Sequence, residues 1–254
     1  MMSSITVAFI AFACIFTGAL LGLLIRGILP EHHRSDEVRD VVKLGTALIA
    51  TLAAFILGLL MSTSKSSLDS MNSELTQDSA RIIRLDRALA EYGPETKASR
   101  EALRSGVATV IKLVWPEQKS EHAHVDNIEI GTSLEEIQKN LRESSPRNES
   151  QRLLLATALQ ITSELAQSRW LLIEQSQSAL PPAFLIIMLF WLTILFAGFG
   201  MLAPRNGTVI AVLLICAFSV SGAIFLIYEM NNPLAGMIKI SSAPLRKALD
   251  HIGK

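Results

Sequence analysis

Apolar and polar positions fall into blocks along the chain. Residues 5–25, 44–64, 183–203 and 208–228 carry no charged side chain, and each block has the length of about 20 residues that a helix needs to cross a bilayer core. The pattern therefore predicts four membrane spans. The first is read as an uncleaved span, because it has no basic start and no clear cleavage site. The second block does not stop at the membrane. Lys65 closes its uncharged run, and Leu68, Met71, Leu75, Asp78, Ile82, Leu85, Leu89 and Tyr92 then recur at steps of three and four, the spacing of one helix face. Neither Pro nor Gly occurs between Lys65 and Tyr92. A single helix over 40–92 is predicted, crossing the membrane and running on into water, with Asp78 as the one break in its apolar seam.

Inside the bilayer, close approach marks helix contacts, so small residues indicate which face meets a neighbour. Ala47, Thr51, Ala54, Gly58, Ser62 and Lys65 follow one stripe of the second span. That stripe is either a helix-packing face or, in an oligomer, the lining of a narrow pore. Gly18 and Gly22 form a GxxxG pair on the first span, with Ala11 and Cys14 on nearly the same face.

Between the second and third spans lies a helical insert. Gly93-Pro94 ends one helix and starts the next, in which Leu103, Val107, Val110 and Val114 form an apolar face up to Trp115-Pro116. Thr132 or Ser133 offers a capping box for a short helix to Ser145. A longer helix over 149–178 carries Leu154, Ala158, Ile161, Leu165, Ser168 and Leu172 on one side. An antiparallel bundle is expected. The predicted fold is all-α, divided into a first helix pair (1–64), the insert (65–180), a second helix pair (181–230) and an extramembrane tail (231–254) with a short basic helix over 245–251.

Composition supports a membrane protein. Half of the 254 residues are hydrophobic and the mean hydropathy is positive, more apolar surface than a single core of this length would bury. The formal net charge of zero gives no electrostatic footprint for nucleic acid. Cys14 and Cys216 lie in apolar runs and are read as small packing residues. Glu31, His32, His33, Asp40 and Lys43 gather in and beside the first connection, an interfacial polar cluster without metal-ligand spacing. No metal, cofactor or converging catalytic set is expected, and the chain is read as not an enzyme. Tyr228 and Glu229 mark the end of the fourth span at an interface. Arg26, Arg34, Arg39, Lys43 and Arg205 on the short connections outnumber Lys65, Arg169 and Lys239 by a small margin, which slightly favours the insert outside by the positive-inside rule.

Leu29-Pro30-Glu31-His32-His33, then Asp40-Val41-Val42-Lys43-Leu44-Gly45, resemble the first connection of the bacterial bestrophin-like integral membrane family, whose function is unknown. Ala50-Thr51-Leu52-Ala53-Ala54, Gly58-Leu59-Leu60 and Lys65-Ser66-Ser67 are similar to its second span. Leu85-Asp86-Arg87, Tyr92-Gly93-Pro94-Glu95, Trp115-Pro116 and, near the end, Pro233, Gly236, Ser241 and Pro244 extend the likeness over most of the chain. The resemblance implies a multi-pass protein of a bacterial inner membrane. By analogy with bestrophins it implies a homo-oligomeric anion channel lined by second spans; Phe55 is the one aromatic of this second span. The alternative is a non-conducting scaffold or sensor whose insert binds a partner protein.

Overall fold

The computed structural model describes residues 3–28, 36–115, 129–177, 182–233 and 237–253. Within them the chain is all-α. Its helices are α1 (Ser4–Ile28), α2 (Asp36–Tyr92), α3 (Lys97–Val114), α4 (Glu129–Glu143), α5 (Glu149–Gln177), α6 (Pro182–Leu202), α7 (Gly207–Met230) and α8 (Ala243–His251). Among these, α1, α2, α6 and α7 are long and apolar enough to cross a membrane. The protein is a multi-pass membrane protein.

Helix α2 is continuous for 57 residues, so 62–68 is helical and holds no loop. It ends where Gly93 takes φ 135° and ψ −176°, a region essentially open only to glycine. Pro94 follows at the start of a short 3-10 turn. The hydroxyl of Thr96 lies within hydrogen-bond distance of the carbonyls of Leu89 and Gly93 and secures the turn. One expectation fails nearby. Helix α4 is already helical at Glu129, so Thr132 and Ser133 sit inside it and do not cap it. A capping sequence permits a helix start without forcing one, and tertiary contacts decide.

The chain divides into two compact units, 1–66 with 179–231 and 67–178 with 232–254. The core of the first gathers Ala11, Ile15, Leu192, Phe196, Ala217 and Ile224. The core of the second is the predicted seam: Met71, Leu75, Ile82, Leu85 and Leu89 are buried against α3, α4 and α5. In α3 the buried face is Leu103, Val107, Ile111 and Val114, with Val110 only partly covered. The tail belongs to this second core. Ile240, Leu245, Ala248 and Ile252 are buried in it, and the indole N–H of Trp115 donates to the Ile240 carbonyl at 2.7 Å.

Candidate functional site

The first unit is built on close contact between α1 and α6. A Cβ on Gly22 would lie 2.0 Å from the Ala197 carbonyl oxygen, one on Gly200 2.1 Å from that of Ala19, and one on Gly18 2.7 Å from that of Thr193. The Gly18/Gly22 face is thus a helix contact, and Gly200 is its reciprocal on α6. Ala11 is buried on this side. Cys14 and Cys216 are both exposed, which corrects their reading as packing residues; a small side chain in an apolar run does not by itself reveal its face. Two arginines bind the carbonyl ends of these helices. Arg26 Nη1 donates to the Leu202 carbonyl at 2.9 Å. Arg205 donates to the Leu23 carbonyl at 3.1 Å and to that of Leu24 at 3.2 Å. Arg26, on α1, sits at the negative end of α6, and Arg205, in the turn after α6, sits at the negative end of α1. These two cations therefore have a structural task, which weakens their use as markers of orientation.

On α2, residues sort by direction. Thr46, Ala53, Leu60 and Ser64 are buried, and α6 comes close enough that a Cβ on Gly198 would meet the Thr46 hydroxyl at 2.7 Å. Leu44, Leu48, Leu52, Phe55 and Leu59 are exposed large residues. Ala47, Thr51, Ala54, Gly58, Ser62 and Lys65 are exposed as well. At about 100° per residue the buried set lies on one side of the helix, and the large apolar set and the small, hydroxyl-bearing set are adjoining sectors of the other side, meeting where Ser62 falls in line with Leu44 and beside Phe55. Nothing lies within 4 Å of a Cβ built on Gly58. In the most apolar stretch of α2, 17% of residues are buried, against 33% in α1 and 28% in α6 and α7. The Thr51 hydroxyl donates to the Ala47 carbonyl at 2.9 Å.

The polar cluster is seen only in part. Asp40 and Lys43 form an exposed ion pair at 2.8 Å, while Glu31, His32 and His33 lie outside the described residues. Glu229, read with Tyr228 as marking the end of the fourth span, is buried, as are Ile227 and Met230 on other sides of the same last turn of α7.

A family model described as the bestrophin-like domain matches residues 11–245. The chain belongs to the bestrophin-like family. No curated protein and no solved structure matches it.

The residues that carry the bestrophin-like resemblance in the insert are its joints. Asp86 is buried and accepts from Arg100 at 2.8 and 3.1 Å, while the Gly253 N–H reaches its second oxygen at 3.3 Å. Tyr92-Gly93-Pro94 makes the turn out of α2, and the Tyr92 carbonyl accepts from the Gln151 amide at 2.9 Å. Trp115 holds the tail through Ile240. Asp78, the break in the seam, is also satisfied: Arg81 donates to one oxygen at 2.8 Å and the Ser168 hydroxyl to the other. Burial raises its carboxyl above the ordinary value, against the lowering effect of Ser168 and Arg81. Arg81 is held at 3.3 Å from Glu164 and 3.5 Å from Glu74. Sequence reasoning missed Asp86–Arg100 because partners fourteen residues apart across a turn leave no periodic signature.

Proposed function

We propose that this bestrophin-like protein is a homo-oligomeric anion channel in which copies of α2 surround the conduction path with Ala47, Thr51, Ala54, Gly58, Ser62 and Lys65. The observation that supports this reading is that the exposed α2 surface divides into two adjoining sectors, one of large apolar side chains and one of small and hydroxyl-bearing ones. Lipid offers large apolar side chains a suitable environment, and it gains little from a row of Ala, Gly, Ser and Thr. Such a row favours either another helix or a narrow aqueous path. In a closed cyclic assembly the same stripe from every copy faces the same axis.

Lys65 supplies the selectivity. A ring of ammonium groups at a pore mouth attracts anions and repels cations. Thr51 uses its proton on the Ala47 carbonyl, so it must rotate away to donate to a passing anion. Ser62 is the second hydroxyl of the stripe.

The test is reconstitution into liposomes with measurement of mass, ion flux and reversal potential. Wild-type protein is expected to assemble and to conduct anions, and Lys65→Glu to cut anion flux and move the reversal potential towards cations with assembly intact. A monomer, or well-assembled protein without flux across several anions, overturns the reading. Unchanged selectivity in Lys65→Glu removes Lys65 from it and leaves the lysine as an interfacial anchor.

A further inference from the structure

The second unit holds a half-open cavity that the channel reading does not use. Its volume is about 160 Å³, and it opens among α2, α3, α4, α5 and the tail. The wall is almost wholly apolar, with Leu75, Ile82, Val107, Val110 and Leu165 among its residues. Two charged groups interrupt it, Asp78 and Arg169, and they stand differently. Asp78 has both oxygens committed, to Arg81 and to Ser168. Arg169 has a buried Nε without a hydrogen-bond partner, and its guanidinium carbon lies 5.5 Å over the ring of Trp170. A buried donor left unpaired is costly, and native structures rarely keep one without a reason.

We propose that this cavity is a binding site for a small apolar monocarboxylate of about the size of benzoate, its ring or branched alkyl body among the aliphatic side chains and its carboxylate on Arg169. A dry cavity of roughly 150 Å³ accepts a benzene-sized molecule, so the volume sets the body of the ligand. The unpaired guanidinium N–H sets its head, since arginine is the side chain best suited to a carboxylate. Asp78 disfavours a second negative charge nearby, and its engagement with Arg81 limits that repulsion. Because the cavity touches α2, α5 and the tail at once, occupancy stiffens all three. The site does not depend on whether the protein conducts ions.

The experiment uses the full chain in lipid nanodiscs, where no detergent competes for the cavity, with sodium benzoate and neutral toluene as probes. Binding is followed by calorimetry and by thermal shift. Benzoate is expected to bind saturably and to raise the melting temperature, with toluene binding more weakly. Arg169→Gln should lower benzoate affinity at least tenfold and leave toluene unaffected. Val110→Phe, at a partly covered wall position, should abolish binding of both. Variants are compared only where they remain monodisperse and melt cooperatively; a second filler, Val107→Leu, replaces Val110→Phe if that variant does not. Failure of folded wild-type protein to bind benzoate overturns the proposal. So does benzoate binding that neither Arg169→Gln nor the filler changes. Toluene binding without any benzoate preference overturns the assigned role of Arg169 and with it the ligand class.

Discussion

Gly22→Ala is the sharpest test of how the first unit is held together. The added methyl carbon would sit 2.0 Å from the Ala197 carbonyl oxygen, 2.8 Å from its carbon and 3.0 Å from its Cα. All three are backbone atoms, so no rotamer change relieves the clash. Ordinary contact begins beyond 3.4 Å, and α1 and α6 must therefore separate by more than an ångström. A gap of about 0.5–1 Å already forfeits a quarter to a half of each dispersion contact along the seam. Overpacking of this kind costs about 1–3 kcal/mol, against a helix-propensity gain for Ala over Gly of about 1 kcal/mol. The difference leaves a net loss of up to about 2 kcal/mol, which for a chain of this size corresponds to a fall in melting temperature of up to about 8 °C. Gly58→Ala is the matched control, because a Cβ there meets nothing within the chain; the isolated subunit should be unharmed or slightly stabilised. Thermal unfolding in mild detergent, read by the surviving monodisperse fraction, checks both. Gly22→Ala melting at or above wild type would refute the reading of α1 and α6 as helices in backbone contact.

Arg205→Ala removes the donors to the Leu23 and Leu24 carbonyls and should destabilise by about 1–2 kcal/mol, seen in the same melt, with Arg205→Lys recovering only part because an ammonium cannot reproduce the planar fork. Asp86→Ala strips Arg100 and the Gly253 N–H of their partner; breaking a buried pair costs about 3–5 kcal/mol, and Arg100 is a quarter exposed, so about 2–3 kcal/mol is expected after solvent screening, together with faster protease cleavage after residue 240. Asp78 predicts a pH dependence. Its folded-state carboxyl is raised, chiefly by burial, so the folded state holds the proton more tightly than the unfolded chain does. Stability then falls as pH rises from the ordinary carboxylate range through the folded value. Asp78→Asn should flatten that part of the curve and be no less stable at neutral pH, since Arg81 keeps Glu164 and Glu74; melting temperatures between pH 4 and 7 with the same slope as wild type would contradict the assignment.

Much of the fold was legible because it depends on period. The seam from Leu68 to Tyr92 repeats at helical spacing, and its Met71, Leu75, Ile82, Leu85 and Leu89 lie in the core of the second unit. Asp78 was visible as the break, yet its partner was not: Ser168 lies ninety residues away on α5, and only the packed bundle brings them together. The tail shows a signal passed over. Arg246, Lys247 and His251 draw the eye to charge, while Leu245, Ala248 and Ile252 recur at three and four on the other face, the mark of a helix with a core to join. Gly198 and Gly200, two residues apart, lie on opposite sides of α6, against Thr46 and Ala19 respectively, and so left no one-face signature. The cavity left no trace in the pattern, because a void is made by what five elements fail to fill.

The candidate site was legible to a lesser degree, for a reason that lies in symmetry. A single chain fixes which face of α2 meets its own helices, through Thr46, Ala53, Leu60 and Ser64. It does not fix what meets the other two faces, because a bilayer and a second copy both impose their demands from outside the chain. The two exposed faces nevertheless differ in what they can gain. Leu48, Phe55 and Leu59 make dispersion contacts with acyl chains as readily as with protein, so their exposure in one subunit calls for no partner. Ala54 and Gly58 expose little side chain, and the contact available to them is with a surface that approaches the backbone closely, which a neighbouring helix does and a disordered acyl chain does poorly. Thr51 and Ser62 add hydroxyls that gain from an acceptor, a donor or water. On the proposed reading the small sector is therefore the one that copies of the chain or a water-filled path would cover, and the large sector the one left to lipid.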